Sequence, residues 1–272
     1  MNLTQVSVVI CNKNSFNYLK KSIPIYKSIS LCEIIVIDGN STDGSLEYLK
    51  KEGIKIISDQ GKGLSYSRNL GVINSKGSLI FMAGPDDICN KKFFDNLLIK
   101  FSDSNYDAAT TLFQISNPTN YLDRSLNMWF KYIRKSGDAK VIGTPTIFKR
   151  NTFDKVSYNI ETIGFDDTDI SEQLLVNDFK IGVLSINCDQ ANNNSYKDIL
   201  KKFQLYGKSD INYHNYHKQN KSKIFHKFLK TYLHPAKHFI SFTFFLISKM
   251  QILTVPFAII ITINRYIGFF KK

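Results

Sequence analysis

Glu33-Ile-Ile-Val-Ile-Asp-Gly-Asn-Ser-Thr-Asp-Gly44 is the stretch whose reading decides the fold. Four consecutive β-branched residues, Ile34 to Ile37, stop at an aspartate and give way to residues that build turns and helix caps. An apolar run this short, with no polar alternation, reads as a strand buried on both faces. Working outward, Gln5–Ile10, Lys55–Ile57 and Ser78–Met82 repeat the pattern, and Phe16–Ser28, Ser45–Glu52 and Leu64–Asn74 between them read as helices. In the last helix Tyr66, Leu70 and Ile73 share one face, which places Arg68 on the opposite side. Strands separated by helices require crossovers, hence a mainly parallel α/β sheet whose ligands lie at the carboxyl ends of its strands.

The 272-residue chain is long enough for one large α/β domain or one domain with an appendage, and its 43% hydrophobic content excludes wholesale disorder. Cys11, Cys32, Cys89 and Cys188 show no CxxC or Cys/His spacing, which argues against structural zinc and fits a reducing compartment. The run Val6–Ile10 is too short for the core of a signal peptide. A less regular region follows the first hundred residues, with helices expected around Leu126–Arg134 and Ile170–Asn177 and a turn at Gly143-Thr144-Pro145. The expected division is residues 1–106, 107–196 and 197–272.

The net charge of +13 is concentrated late in the chain. Lys201, Lys202, Lys208, Lys218, Lys221, Lys223, Lys227 and Lys230 recur where Asp198 and Asp210 are the only acids. Phe239–Ile247 and Ile252–Ile263 follow, almost wholly apolar, split by Ser248-Lys-Met-Gln251 and interrupted by Pro256. Each piece is shorter than the roughly 20 residues a bilayer-spanning helix needs. Joined into one span they would hold Lys249 near mid-membrane at a cost of about 3 kcal/mol. The expectation is in-plane or re-entrant helices at the membrane interface, with a true span or a tail folded onto the catalytic domain as alternatives, lysines on anionic headgroups and nucleic acid excluded as the partner. His214, His217, His226, His234 and His238 are expected beside the lysines at that interface, since no acid completes a metal site around His214 and His217.

The chemistry-bearing residues cluster at predicted strand ends: Cys11-Asn-Lys-Asn14, Asp38-Gly-Asn-Ser-Thr-Asp43 and Gly84-Pro-Asp-Asp87. An aspartate there can accept hydrogen bonds from a base or ribose, and paired acids can hold a hard divalent cation that neutralises a departing diphosphate. In order along the chain, these segments, Gly63-Leu-Ser-Tyr-Ser-Arg-Asn-Leu-Gly71 and Phe165-Asp-Asp-Thr-Asp-Ile-Ser-Glu-Gln-Leu174 resemble the motifs of family 2 glycosyltransferases over residues 5–190.

The resemblance implies a GT-A fold and inverting transfer from a UDP- or GDP-sugar to a glycan or lipid-linked acceptor. Together with the tail it places the protein at the cytoplasmic side of the cell membrane. Carried over by position, Asn12, Asn14, Asp38, Arg68 and Asp86 would bind the nucleotide-sugar, Asp86 and Asp87 would hold Mn2+ or Mg2+, and Asp167 would be the general base. Two positions depart from the family pattern. Gly84 stands where its DxD begins, and Gln173 replaces an arginine, for which Lys149 and Arg150 are substitutes to be tested. Gly84 keeps open the alternative of a family member that binds nucleotide-sugar or scaffolds a membrane glycan pathway without turnover. Dinucleotide-binding and phosphate-loop enzymes are excluded, because neither a complete GxGxxG nor GxxxxGK[ST] is present. A sugar-phosphate nucleotidyltransferase would carry a Gly-rich, Arg-containing loop after the first strand, and Asn12-Lys13-Asn14 is not one.

Overall fold

The computed structural model describes residues 2–31, 33–191, 195–219 and 224–271, with the side chains of residues 217–232 left aside. Cys32, His217, His226, Lys218, Lys221, Lys223, Lys227 and Lys230, singled out above, thus fall outside the described side chains. In chain order the elements are β1 (Val6–Asn12), α1 (Phe16–Lys27), β2 (Glu33–Asp38), α2 (Ser45–Lys51), β3 (Lys55–Ser58), α3 (Leu64–Asn74), β4 (Leu79–Ala83), β5 (Asp87–Ile88), α4 (Lys91–Asp103), β6 (Ala108–Gln114), α5 (Tyr121–Ile133), β7 (Gly137–Asp138), β8 (Thr146–Lys149), α6 (Asp166–Val176), β9 (Ile181–Gln190), α7 (Tyr196–Gln219), α8 (Ile224–Ser248) and α9 (Val255–Phe270).

Two compact units result, one of residues 1–116, 134–160 and 166–191, the other of residues 117–133, 161–165 and 192–272. The first is built on a sheet ordered β3-β2-β1-β4-β8-β6-β9-β5, with β7 on β9. Strands β3, β2, β1 and β4 are parallel, whereas β8 runs antiparallel to β4 and β6. Val6, Val8, Ile10, Val36 and Phe81 face a core closed by Leu19, Ile23 and Tyr26 of α1 and Phe94 and Leu97 of α4. Val9, Ile35, Ile37 and Met82 face a second core with Ile170 and Leu174 of α6. Burial on both faces explains the uninterrupted apolar runs of β1 and β2.

The face assigned to α3 is corrected. Its buried residues are Ser65, Ser67, Arg68 and Gly71, while Ile73 is 77% exposed. A Cβ on Gly71 would overlap the Val9 side chain of β1, so glycine lets the helix lie directly on the strand. Small residues plus one arginine therefore meet the sheet most closely; Leu70 packs partly buried against the second core and Ile73 points away.

The second unit is helical. α7 and α9 cross where a Cβ on Gly207 or Gly268 would overlap the opposing backbone. Arg265 donates to both Asp210 oxygens at 2.7 and 2.8 Å. Its Nη2 also lies 3.1 Å from His234 Nδ1, His234 Nε2 lies 3.1 Å from His238 Nε2, and His238 Nδ1 lies 3.1 Å from Tyr132 Oη. Burial, then the neighbouring His234 and Arg265, lower His238 to about 4. His214 is buried too. His234 and His238 thus take part in the helix packing, with His238 half-buried against Tyr132 and His234, 42% of its side chain exposed, bridging Arg265 to His238.

Pro256 stands in the first turn of α9, where a missing N–H costs nothing, and so does not interrupt the apolar run as its position suggested. Ile252–Phe270 is long and apolar enough to cross a membrane, with 19 residues, mean hydropathy 1.6 and 39% of that stretch buried. Gly71→Ala should lower stability by about 1–3 kcal/mol in urea denaturation, the cost of overpacking the α3–β1 contact.

Candidate functional site

Because β3, β2, β1 and β4 run parallel, their last residues form one row. Register pairs Asn12 with Asp38 and Asp38 with Ser58, and Asp59 follows directly. Asp38 is buried and accepts from Asn12 Nδ2 at 2.8 Å, the Ser41 amide at 2.9 Å and Ser41 Oγ at 2.6 Å. Among the described residues Asn12 Oδ1 has no hydrogen-bond partner. Asn14 adopts a left-handed φ of 52°, accepts from the Thr42 amide at 2.8 Å and donates its own amide to Ser41 Oγ at 2.9 Å. Asp43 accepts from the Phe16 amide at 2.8 Å, which ties the turn to the start of α1. Thus the Asp-Gly-Asn-Ser-Thr-Asp segment is a turn and cap that also fixes Asp38 at the sheet edge. Asp59 was missed in the sequence. It is 2% exposed and accepts from the Gly61 amide at 2.7 Å and Ser67 Oγ at 2.5 Å. Its one available signal was its place after Ile56-Ile57-Ser58, the weakest strand of the four.

Past β4 the two carboxylates differ. Asp87 is 2% exposed, accepts from the Gly84 amide at 2.7 Å, and takes a further hydrogen bond from Gln190 Nε2. Burial, then the charge of Asp86, push its carboxyl up to about 7, against the pull of those hydrogen bonds and of Arg134. Asp86 is half-buried, and its Oδ1 lies 2.6 Å from the point where a Cβ on Gly84 would stand. The departure at Gly84 is therefore matched locally, since the Asp86 carboxylate uses the room a side chain would take. Gln190 comes from β9, 103 residues downstream, so no local pattern could announce it.

Arg68 reaches from the buried face of α3 to the start of α6. Its Nη1 donates to Asp166 Oδ2 and, at 2.7 Å, to Asp167 Oδ1, while Nη2 donates to Thr144 Oγ1 at 2.8 Å. The guanidinium lies over the Tyr158 ring at 5.1 Å. Asp166 and Arg68 side chains are both 8% exposed, but that of Asp167 is 42% exposed. Burial pushes the Asp166 carboxyl up, against the opposing pull of Arg68. The same arginine acts on Cys11 at the end of β1, whose thiol burial raises to about 12. Arg68 thus joins the strand-end row to the acidic pair: Asp166 is the buried anchor, and Asp167 offers a carboxylate to solvent.

Neither proposed substitute for the missing arginine is near this row. Lys149 pairs with Asp107 at 3.0 Å. Arg150 donates to Gly77 O, to Val72 O at 3.2 Å and to Ser75 Oγ at 2.8 Å, beside the start of β4. The antiparallel register of β8 on β4 carries both to the opposite edge of the sheet. Gln173 bonds Ser157 O at 3.0 Å and Asp169 Oδ2 at 2.7 Å. Among the described residues no group of three or more His, Cys, Asp or Glu side chains forms a ready metal cage.

Residues 7–161, more than half of the chain, match the model of glycosyl transferase family 2. Cholesterol galactosyltransferase of Borreliella burgdorferi is 33% identical over 118 residues, which cover 41% of this chain and 33% of that protein. Glycosyltransferase GlyA of Streptococcus pneumoniae is 26% identical over 155 residues, or 53% of this chain and 21% of its own. The chain thus spans a third or less of these two relatives. In architecture it resembles residues 1–349 of Staphylococcus aureus TarS, with TM-score 0.56, 13% identity, and 97% and 88% of the two chains covered. It also resembles the Pyrobaculum calidifontis mannosyltransferase PcManGT, solved with GDP-Man and Mn2+, with TM-score 0.63, 11% identity, and 96% and 87% covered. With the strand-end acids and the Arg68-bound acidic pair in one α/β unit, the match over residues 7–161 makes this chain a member of glycosyl transferase family 2 with the GT-A fold.

Proposed function

We propose that the protein is an inverting glycosyltransferase that moves a sugar from a UDP- or GDP-sugar to a glycan or lipid-linked acceptor at the cytoplasmic face of the membrane. The observation that carries this reading is the pairing of a solvent-facing carboxylate, Asp167, with a buried partner, Asp166, on one arginine beside the strand-end row. A sugar hydroxyl is a poor nucleophile, so a carboxylate within reach must take its proton during attack on C1. Asp167 is the exposed member and has that task. The nucleotide lies across Asn12, Asp38 and Asp59, with Asn14 shaping the turn and Arg68 bordering the pocket. Attack on the face opposite the leaving diphosphate inverts C1.

Asp86 and Asp87 fit a hard divalent cation, Mn2+ or Mg2+. Two adjacent carboxylates, one raised to about 7 by burial and its neighbour, form an oxygen donor set that a positive ion would stabilise. When bound, the ion supplies Lewis-acid neutralisation of the diphosphate. Asp86 and Asp87 are the protein groups that would hold it.

The helical unit is the membrane-associating part in this reading. Phe244, Met250, Ile252 and Leu253 are 69, 88, 65 and 86% exposed around the α8–α9 turn, beside Lys249. Such a surface inserts its apolar tip into the interface while lysines meet anionic headgroups. A second reading, a donor-binding family member without turnover, is favoured by the engagement of both Asp87 oxygens by Gly84 and Gln190.

Calorimetric titration should detect metal-dependent binding of UDP or GDP, and absence of both would remove the donor site. Because the cation competes with the proton on Asp87, that affinity should weaken about tenfold from about pH 8 to about pH 6. Asp167→Asn should keep nucleotide affinity within about twofold and lower turnover about a hundredfold or more. Wild-type turnover in that variant would reject Asp167 as the base, and nucleotide binding without any wild-type turnover would favour the second reading. Met250→Asp with Leu253→Asp should abolish co-flotation with anionic phosphatidylglycerol vesicles, and undiminished flotation would overturn the docking surface.

A further inference from the structure

Asp167 is held on two sides, and the second side is built by residues that no motif marks. Arg68 holds Oδ1. Oδ2 lies 2.7 Å, and the carboxyl carbon 3.2 Å, from the point where a Cβ on Gly143 would stand. The carboxylate therefore rests close against the main chain at Gly143, in a position that a side chain there would force it to leave. The next residue, Thr144, accepts the Arg68 Nη2 hydrogen bond at 2.8 Å, so the same two-residue segment seats both members of the ion pair.

That segment is clamped by Arg134. Its Nη1 donates to Thr110 Oγ1 at 2.7 Å and Thr111 O at 2.9 Å on β6, and its Nη2 donates to Gly143 O at 3.2 Å and Thr144 O at 3.4 Å. Thr110 Oγ1 in turn donates to Gly143 O at 2.6 Å. The guanidinium stacks on Phe113 at 3.8 Å, which fixes its plane. One planar fork thus joins β6 to the seat of Asp167, a geometry that a lysine ammonium cannot reproduce.

We infer that Arg134 is a positioning residue for glycosyl transfer, acting through Gly143 and Thr144 to aim the Asp167 carboxylate and its Arg68 partner. This rests on the reading of Asp167 as the general base. Arg134 acts through its fork, so charge alone does not replace it. Gly143 acts through its missing side chain.

The test uses the full-length protein. In 15N spectra the Arg68 guanidinium of the wild type should give a slowly rotating, resolved Nη signal, assigned by its loss in Arg68→Lys. Arg134→Met, Arg134→Lys and Gly143→Ala should each collapse it while circular dichroism and melting remain those of a folded protein. Nucleotide release from UDP-glucose, UDP-galactose, UDP-N-acetylglucosamine and GDP-mannose then gives the kinetic readout. All three variants should lose about tenfold or more in kcat, with the donor KM within about twofold in Arg134→Lys and Gly143→Ala, which keep the positive charge that acts on Asp87. In the double variant Arg134→Met/Asp167→Asn the losses should not add, because both act on one group. An unchanged Arg68 signal in Arg134→Met and Gly143→Ala would overturn the proposal, as would full kcat in Arg134→Lys or fully additive losses. Wild-type release by Asp167→Asn alone would instead remove the base assignment, an outcome separable from the Arg68 spectrum.

Discussion

The ion pair between Arg68 and the Asp166–Asp167 couple is the contact on which the site depends. A guanidinium with 8% of its side chain exposed is a costly thing to bury, and only paired carboxylates with further hydrogen bonds offset the loss of hydration. Asp166 supplies the buried charge, Thr144 takes the other nitrogen, and the Tyr158 ring covers the face. Removing one partner of such a pair typically costs about 3–5 kcal/mol because the other charge is left unmatched. The pair also spans sequence distance, joining α3 to α6 across the second core. Its consequence for chemistry is the unequal exposure of two adjacent aspartates.

That ion pair exists only because α3 lies flat on β1. Glycine at 71 removes the Cβ that would hold the helix away from Val9, and Arg68, one turn earlier, is carried beneath the helix. The parallel register then does the rest. Once β1, β2, β3 and β4 share a direction, Asn12, Asp38, Asp59 and the Gly84–Asp87 loop reach the same edge without any of them contacting another in sequence. The late return of β9 beside β5 adds Gln190 to Asp87 and closes the row.

How legible this was depends on the range of the interaction. The helix Leu64–Asn74 and the four parallel strands were readable to within a residue or two, because burial on both faces leaves an apolar run and turn chemistry ends it. The face of that same helix was misread. Tyr66, Leu70 and Ile73 form the larger apolar stripe, but close packing on β1 rewards small residues, and the paired arginine tolerates burial. Lys149 and Arg150 looked available because nothing local occupies them. Asp107 and the carbonyls at the start of β4 do so through strand pairing.

By itself the sequence determined the class of fold, the strand-end position of Asp38 and Asp86, the acidic pair at Asp166 and Asp167, and the basic, apolar character of the C-terminal region. Those features are local: they follow from burial periodicity, turn residues and charge within windows of about ten residues. Tertiary structure alone decided that Arg68 faces inward, that Asp87 is bonded by Gln190, and that Asp167 rests on Gly143 with Arg134 behind it. Each of those needs two segments brought together from far apart in the chain. A buried charge or a close backbone approach is settled by what arrives on the other side, and no local pattern records that.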